Sequence, residues 1–372
     1  MKCNVARGEF SRRRRVLAVS DVHGRPDLLR RLLEKLDYRP GKDGLVLVGD
    51  LLEKGPDSLG ALRMAMDLMR EDRVYVLRGN CDTALLDPAD PDLPALLARQ
   101  TEADGFLWQL AAAQGLARQQ VLADVPAAVR RLQAAYPAET AFLRALPDIL
   151  ETEDYRFVHA GLCPGPLESQ PWEEALTVRG YLDRAEKSEK LLVVGHFPVS
   201  NYTARRRGVL GFAPFCDSEK NILSIDGGLC VKEGGQLNGT ELWEGAYRRY
   251  SCVDGLGRAV VRKGRKAAQE ESIAWIWPDL DVDVLERDEE RDTLLCRHQA
   301  DGQTAWVPAK WVRQGPSGAR LAGDYTSLRL ALKGGDRVSV VCTCGGQTLV
   351  KKDSILGWTD TDQLEFIPPA QG

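Results

Sequence analysis

A set of carboxylate, amide and imidazole side chains stands where short apolar runs of the sequence end. Three of the chain's four histidines belong to this set, which argues against a purely structural role for them. Oxygen donors and imidazole nitrogens together suit divalent ions such as manganese, iron or zinc. A carboxylate can bridge two such ions, about 3.5–4 Å apart, which then clamp a phosphoryl group for hydrolysis. The set comprises Asp21, His23, Asp50, Asn80, His159 and His196.

Buried strands must position these side chains. The apolar runs are short, mostly β-branched or aliphatic, and each ends in polar and glycine residues, which is typical of buried strands. Because ligands gather at the carboxyl ends of strands in α/β sheets, we expect the six side chains to converge. The runs are RVLAVSD, DGLVLVGD, RVYVLRGN, YRFVHAG, KLLVVGH and NILSIDGG.

Helical segments separate the first three strands. The segment RPDLLRRLLEKL has leucines at helical spacing, and SLGALRMAMDLMRE is expected to begin a helix with Ser58 as its N-cap. Alternation of strands and helices predicts an α/β fold with layered sheets. Residues 85–150, rich in Ala, Leu, Gln and Arg, predict a helical insertion between the third and fourth strands. This insertion is either structural filling or a cap that walls the site and selects substrates.

Bulk composition excludes several classes of protein. The chain has 372 residues, 44% hydrophobic and 28% charged, which is ordinary globular composition for one large and one or two small domains. Its net charge of −4 gives no electrostatic case for binding nucleic acid or an anionic membrane. No apolar window reaches the roughly 18 residues of a membrane span. The arginines of SRRRRVLAVS form a basic end on the first strand rather than a targeting signal.

Nine cysteines are scattered over the chain without CxxC spacing. This pattern fits neither a disulfide framework nor a structural zinc site, and it indicates a reducing cytoplasm.

The ordered series of motifs resembles the calcineurin-like metallophosphoesterases over about residues 15 to 243. Within them it is similar to the serine/threonine phosphoprotein phosphatases and the symmetrical diadenosine tetraphosphate hydrolases. The motifs are DVHG (21–24), GDLLEKG (49–55), RGNCD (78–82), HAG (159–161) and GHFPV (195–199), followed by SIDGG and GQLNGTEL.

The resemblance implies a metallophosphoesterase sheet sandwich flanked by helices, with two divalent ions, manganese first and iron or zinc as alternatives. It implies that Asp21 and His23 bind the first ion and that Asp50 bridges. It also implies that the second ion is bound by Asn80, His159 and His196.

Arginines of the family bind phosphate oxygens. Arg78 matches one of them, and Arg179 is expected to match another, although the tryptophan usual in its motif is absent. Lys54 stands where the family has a further arginine, and Glu53 precedes it. Because lysine supplies charge without a bidentate fork, we expect a looser grip on phosphate.

Cys81 replaces the histidine that, in the family, protonates the leaving oxygen together with the following acid, here Asp82. Three roles for Cys81 stay open: a small apolar filler, a weak acid or redox-sensitive thiol, and a contact to metal. General acid help is typically worth about 10²–10⁴ in rate, so its loss favours substrates with good leaving groups.

The sequence changes in character after residues 15–250, the expected phosphoesterase domain. Residues 251–278 are interpreted as a linker, whose charged part, 260–272, is alternatively an exposed helix or a basic patch. Alternating strands and polar turns then predict two small β barrels, a module at 279–315 and a module at 322–368. The latter resembles bacterial SH3-like domains through GDRVSVV and GWTDTDQL, and His298 of the former is expected at the surface.

Three functional hypotheses follow. The first, most favoured, is a bacterial serine/threonine-type phosphoprotein phosphatase whose C-terminal modules recruit a protein. The second is a nucleotide phosphoanhydride hydrolase, which the Cys81 and Lys54 departures favour. The third is a pseudophosphatase that keeps its metals for stability and acts through its C-terminal modules.

Overall fold

The computed structural model describes residues 2–11, 13–101, 103–264, 266, 272–315 and 318–368. The chain divides into two compact units, and both are discontinuous in sequence. Unit 1 consists of Met1–Phe197, Pro214–Cys230 and Leu237–Val253. Unit 2 consists of Pro198–Ala213, Val231–Gln236 and Asp254–Gly372.

The described residues of unit 1 form eleven strands, arranged in two sheets. They are β1 (Val5–Arg7), β2 (Val16–Val19), β3 (Gly44–Val48), β4 (Val74–Leu77), β5 (Ile149–Glu151), β6 (Tyr155–Val158), β7 (Leu191–Val194), β8 (Phe215–Asp217), β9 (Ile222–Ser224), β10 (Leu237–Trp243) and β11 (Ala246–Val253). One sheet has the order β11-β10-β2-β3-β4 and the other β1-β5-β6-β7-β9-β8. All six strands expected from the apolar runs are present.

Nine helices belong to the described part of unit 1. They are α1 (Pro26–Lys35), α2 (Ser58–Leu68), α3 (Leu93–Arg99), α4 (Phe106–Ala113), α5 (Arg118–Ala123), α6 (Val125–Ala135), α7 (Pro137–Ala145), α8 (Trp172–Thr177) and α9 (Tyr181–Arg184). Five of them, α3 to α7, lie between β4 and β5 and form the helical insertion. Over the described ranges, no helix combines the length and apolar character that a bilayer span requires.

Alternate residues of β2 face two different hydrophobic clusters, which explains why the strand is apolar throughout. Val16 and Ala18 pack between the two sheets, in a cluster that includes Phe157 of the other sheet. Leu17 packs in the opposite cluster with Leu32 of α1, among helical residues. A strand covered on both faces needs a continuous apolar run rather than an alternating one. The predicted α/β fold with layered sheets and flanking helices is confirmed.

Parallel pairing brings the ends of the central strands to common edges. β2 pairs with β3, and β3 with β4, in parallel in one sheet. β6 pairs with β7, and β7 with β9, in parallel in the other sheet. The segments that follow these strands therefore leave their sheets on the same side.

The start of α2 differs from the expectation by one residue. The N-cap is Asp57, whose Oδ1 accepts a hydrogen bond from the backbone amide of Gly60 at 2.8 Å. Ser58 is the first helical residue, and its hydroxyl accepts a bond from the amide of Glu53 at 3.0 Å. The aspartate takes the cap because Ser58 Oγ is already occupied by the preceding loop.

Unit 2 is rich in β structure. Its helix is α10 (Val199–Arg207), and its strands are β12 (Gly257–Val261), β13 (Ala274–Trp275), β14 (Asp281–Asp288), β15 (Thr293–His298), β16 (Thr304–Pro308), β17 (Val312–Gly315), β18 (Gly318–Leu321), β19 (Tyr325–Thr326), β20 (Arg337–Cys344), β21 (Gln347–Lys352), β22 (Ile355–Asp360) and β23 (Leu364–Ile367). Its small antiparallel sheets have the orders β16-β15-β14-β18-β17, β22-β21-β20-β12-β23 and β13-β19. Their SH3-like character stays a prediction.

Two elements of unit 2 depart from the sequence interpretation. Within the expected linker, β12 is a sheet strand that pairs with β20 and β23, and residues 265 and 267–271 lie outside the described residues. The sheet of the first module continues to Leu321, since β18 pairs with β14 and β17.

His298 is buried rather than at the surface. Its ring stacks on Trp275 with centroids 5.0 Å apart, and only 5% of the residue is exposed. The expectation was wrong because Trp275, which lies outside the first module's predicted range, covers the ring of His298.

Residues 198–213 pack within unit 2. Leu210 and Phe212, each 1% exposed, share a hydrophobic cluster with Leu349, Leu356 and Trp358. The amide of Gln236 donates to the hydroxyl of Ser354 at 2.8 Å. These contacts connect the segment after His196 to the C-terminal sheets.

We therefore expect a chain ending at residue 250 to be poorly folded, contrary to an independent domain at 15–250. Exposing Leu210 and Phe212 forfeits about 1.5–3 kcal/mol for each side chain. Urea unfolding and sedimentation would measure this against a chain ending at residue 368, which we expect to match the full chain. A soluble chain ending at residue 250 with unchanged unfolding midpoint would contradict the expectation.

Candidate active site

Strained backbone follows the central strands. Asp21, Asp50 and His196 each lie two residues beyond a strand and have φ angles of 56°, 53° and 63°. His23 also has a positive φ, of 46°. Left-handed backbone costs a non-glycine residue roughly 1–3 kcal/mol and persists only where surrounding contacts enforce it. Together with their polar side chains just beyond strand ends, this strain makes the four positions candidates for function.

Glycines leave room for two of these carboxylates. A Cβ atom on Gly79 would lie 2.2 Å from Oδ1 of Asp50, and one on Gly195 would lie 2.6 Å from Oδ2 of Asp21. No side chain larger than hydrogen fits at either distance. This close approach explains why glycine precedes Asn80 and His196 in their motifs.

Backbone carbonyls orient two imidazole rings. Nδ1 of His159 donates to the carbonyl of Val48 at 2.9 Å, and Nδ1 of His23 donates to that of Leu52 at 3.1 Å. With the proton on Nδ1, each Nε2 carries a lone pair that can bind a ligand, as in metal sites of proteins. These Nε2 atoms lie 3.3 Å from Oδ1 and 3.8 Å from Oδ2 of Asp50, respectively. Asp50 thus stands between the two rings.

Acceptor atoms of His159, His196 and Leu176 converge on the side-chain amide of Asn80. Oδ1 of Asn80 lies 3.1 Å from Nε2 of His159 and faces only acceptors in this orientation. Rotation of the amide would place its NH₂ group 2.9 Å from Nδ1 of His196. A cation among these atoms would satisfy every lone pair without the rotation.

Two groups of donors share Asp50. In one, single ligand atoms of Asp50, His159 and His196 lie within 4.8 Å of one another. In the other, those of His23, Asp50 and Cys81 do so. A carboxylate common to two groups is the arrangement that a bridged pair of ions requires.

Buried carboxylates leave this region short of positive charge. Oδ1 of Asp21 is buried without a hydrogen-bond partner and lies 3.8 Å from Nε2 of His23. Burial and the neighbouring Asp50 raise the pKa of Asp21 to about 8. Since divalent cations would relieve both burial and repulsion, the residues fit a metal site.

The two flanking histidines are held neutral. Burial, followed by the charge of Lys54, lowers the pKa of His23 to about 3. Burial and His159 lower the pKa of His196 to about 3. Neutral imidazole is the form that binds metal ions.

Asp82 has a different role from the one expected. Its Oδ2 accepts from the amides of Gly79 and Asp50 at 2.8 and 2.9 Å. Its Oδ1 accepts from the amides of Leu51 and Leu52 at 2.9 and 3.2 Å. With both oxygens doubly occupied, this carboxylate holds backbone in place and is not available to orient residue 81. These bonds do not favour a role for Asp82 with residue 81 on the leaving group, which stays a prediction.

Cys81 lies against Asp50. Its amide donates to Oδ1 of Asp50 at 2.9 Å, and its sulfur belongs to the donor group with His23. Burial and Asp50 raise the pKa of the thiol well above its ordinary value. The raised pKa makes the thiol a weak acid. The three interpretations of Cys81, as a filler, as a weak acid or redox-sensitive thiol and as a metal contact, stay open.

Arg78 does not point its guanidinium at a phosphate site. Nη2 donates to the carbonyls of Leu143, Arg144 and Leu146, which end α7, at 3.4, 3.2 and 2.8 Å. Nη1 lies 3.3 Å from Oδ1 of Asp148. The phosphate-binding role of Arg78 stays a prediction, which these contacts do not favour because its donors close the C-terminal end of the insertion.

Lys54 reaches the group of donors. Its Nζ lies 3.2 Å from Nε2 of His23. Burial acts to lower the pKa of Lys54, but Cys81, Asp50 and Asp21 together raise it above its ordinary value. The ammonium is charged at neutral pH.

Arg179 is exposed, three residues beyond Leu176, whose carbonyl oxygen lies 3.2 Å from the side-chain amide of Asn80. Its segment therefore adjoins the candidate ligands, while its contact with phosphate stays a prediction.

Asp226 was missed in the sequence. It is 2% exposed, and burial followed by the charge of Asp21 raises its pKa well above the ordinary value. Asp226 follows β9 by two residues, the same spacing as Asp50 after β3. That repeated spacing in SIDGG was the signal that could have identified it.

We expect Asp82→Asn to destabilise the fold by about 2–5 kcal/mol, because an amide nitrogen would face two buried N–H donors that then lose their acceptor. Urea unfolding without added metal would measure the loss. Asp67→Asn is the control, since Asp67 is exposed and its carboxylate pairs with Arg70 at the surface. A change in Asp82→Asn no larger than in the control would contradict the anchoring role.

Comparison with known proteins gives the family. The model described as calcineurin-like phosphoesterase matches residues 14–224, more than half of the chain. Over 149 residues the chain is 33% identical to a "Bis(5'-nucleosyl)-tetraphosphatase, symmetrical" of Chromobacterium violaceum, covering 40% of this chain and 44% of that protein. Over 74 residues it is 42% identical to "Serine/threonine-protein phosphatase 1" of Salmonella typhimurium, covering 20% and 32%. The chain thus spans less than half the length of either relative.

A solved structure, the cold-active protein-tyrosine phosphatase of a psychrophilic Shewanella, aligns with a TM-score of 0.41 and 16% identity. The alignment covers 66% of this chain and 82% of that one. On the match over residues 14–224, the chain belongs to the calcineurin-like phosphoesterase family.

Proposed function

We propose that this chain is a phosphatase that hydrolyses phosphate esters with two divalent ions. The observation that carries the proposal is the position of Asp50, whose two oxygens face the unprotonated Nε2 atoms of His159 and His23 at 3.3 and 3.8 Å. Both lone pairs are directed at the carboxylate by hydrogen bonds on the far side of the rings.

The ligands divide into two sets that share Asp50. The first set adds Asp21 and His23, and the second adds Asn80, His159 and His196. Divalent ions in such a site supply Lewis acidity and activate a water for attack on phosphorus. We propose manganese, since carboxylate, amide and imidazole donors suit it, with iron and zinc as alternatives.

Phosphate oxygens would be bound by Lys54 and Arg179. Lys54 is charged and lies at the edge of the donor group, 3.2 Å from His23. A lysine offers a point charge without the fixed fork of arginine, so this grip depends on where the ammonium is placed. Arg179 would add a contact from the segment beside His196.

Proton donation to the leaving group is weak in this site. The carboxylate of Asp82 is filled by four backbone amides, and the pKa of Cys81 is raised by burial and Asp50. A general acid works best with a pKa near the working pH. Hydrolysis by this chain therefore depends on a leaving group that can depart without being protonated.

A phosphorylated protein is the main substrate we propose, in keeping with the Salmonella relative's name. Dinucleoside polyphosphates are a second candidate, because a phosphoanhydride leaving group needs no proton, and the Chromobacterium relative is named for that activity. The cytoplasm is the proposed setting, where the nine free thiols would stay reduced.

The C-terminal sheets are proposed to recruit a protein partner. Side chains of β14 and β16 support this role, since Leu285 and Trp306 are 48% and 42% exposed. Exposed apolar groups on one sheet are common at protein contacts.

We expect hydrolysis of an aryl phosphate and a dinucleoside tetraphosphate to exceed that of a phosphoserine peptide by about 10²-fold, the low end of general-acid assistance. The three substrates would be compared with manganese added. Cys81→Ala should lower all three rates by similar factors. A selective loss on phosphoserine would instead identify Cys81 as the acid, and silence on all three substrates would favour a pseudophosphatase.

We expect two divalent ions per chain in metal analysis after chelation and reloading with manganese. His159→Ala should retain one ion and Asp50→Asn at most one, because only Asp50 serves both sets. His298→Gln, whose histidine lies in unit 2, is the control and should retain both. A wild-type stoichiometry of one in excess metal would refute the dinuclear assignment.

A further inference from the structure

We propose that Glu53, together with Gln100, Asp104, Phe106 and Gln109 of the helical insertion, forms a clamp that positions Lys54 for phosphate. The proposal rests on the phosphate-binding role proposed for Lys54. It assigns the insertion a part in substrate binding, and it makes Glu53 a positioning residue that touches neither metal nor substrate.

Glu53 connects the loop to the insertion. Its Oε2 accepts hydrogen bonds from the side-chain amide of Gln100 and from the backbone amide of Phe106, the latter at 3.2 Å. The next residue is held as well, since the backbone amide of Lys54 donates to the carbonyl of Asp104 at 2.7 Å. The carboxylate of Glu53 and the backbone of Lys54 are therefore both hydrogen-bonded to the insertion.

Gln109 holds the other side of the same loop. Its Nε2 donates to the carbonyl of Gly55 at 2.9 Å, and its Oε1 accepts from the amide of Ser58 at 2.8 Å. One side chain of α4 thus bridges the loop to the first residue of α2. The segment that carries Lys54 is fastened at both ends.

The loop needs this fastening because its backbone is strained. Glu53 and Lys54 both have a φ of 68°, in the left-handed region that non-glycine residues avoid. Two consecutive residues of this kind relax unless surrounding contacts enforce them. Relaxation would move Nζ of Lys54 from its place 3.2 Å from Nε2 of His23.

Glu53 acts in the clamp as a hydrogen-bond acceptor, and its negative charge is not needed for this role. Only Oε2 is hydrogen-bonded, while Oε1 is buried without a partner. Burial raises the pKa of this carboxyl to about 7, as expected where its charge is poorly compensated. A glutamine has a carbonyl oxygen that can take the place of Oε2. Glu53→Gln therefore separates the acceptor from the charge.

The test uses the full chain loaded with manganese and the variants Glu53→Ala, Glu53→Gln, Lys54→Ala and Glu53→Ala/Lys54→Ala. Calorimetric titration with inorganic phosphate gives its Kd, and an aryl phosphate gives KM and kcat. We expect Glu53→Ala to raise Kd and KM about tenfold, the equivalent of one to two ordinary hydrogen bonds, with kcat and metal content nearly unchanged. Glu53→Gln should restore most of the phosphate affinity.

The double variant supplies the sharpest outcome. If Glu53 acts through Lys54, adding Glu53→Ala to Lys54→Ala changes the Kd for phosphate less than twofold. Additive losses of phosphate affinity in the double variant would overturn the clamp. A Glu53→Gln variant that binds phosphate as weakly as Glu53→Ala would do so too. Should Glu53→Ala fail to fold, Gln109→Ala tests the same loop and must show the same rise in KM at unchanged kcat.

Failure of the underlying function would look different. An unchanged phosphate Kd in Lys54→Ala would remove the role proposed for Lys54 and the clamp with it. If Lys54→Ala raises the phosphate Kd while Glu53→Ala and Gln109→Ala leave it unchanged, the role of Lys54 stands and the clamp alone is overturned.

Discussion

The site depends on one buried carboxylate that binds only backbone. Asp82 accepts four amide hydrogen bonds, three of them from the consecutive residues Asp50, Leu51 and Leu52. These bonds stabilise the left-handed conformation at Asp50, which turns its carboxylate towards His23 and His159. Hydrogen bonds from several amides to a charged acceptor are strong enough to offset backbone strain of this size. The loop after β4 thereby sets the geometry of the loop after β3.

Around this anchor, the fold concentrates negative charge that it does not neutralise. Asp21, Asp50 and Asp226 are each at most 2% exposed, and Lys54 is the cation among them. Desolvation and mutual repulsion make such a cluster costly without further positive charge. The same features that strain the protein alone would favour divalent ions, so stability and function are coupled at this edge of the two sheets.

The helical insertion also holds the loop that carries Lys54. Oxygens and amides of residues 100–109 meet residues 53–58 in several hydrogen bonds, while Arg78 closes the far end of α7. Because the donors of Arg78 bind the insertion, Lys54 is the residue to which we assign the main proposed contact with phosphate. The departures from the family pattern at residues 53, 54 and 81 therefore occur in one connected part of the site.

Sequence alone determined the six strands β2, β3, β4, β6, β7 and β9 and the six candidate ligands, because buried strands need continuous apolar runs and polar residues at their ends stand out against them. It could not decide the roles of Arg78, Asp82 and Glu53, since the same charged side chain can meet phosphate, backbone or another loop. Those partners lie dozens of residues away, as Asp82 and Asp50 do, and only the packing of strands and insertion brings them together. The burial of His298 and the inclusion of residues 198–213 in unit 2 were decided in the same way, by long-range contacts that local pattern does not encode.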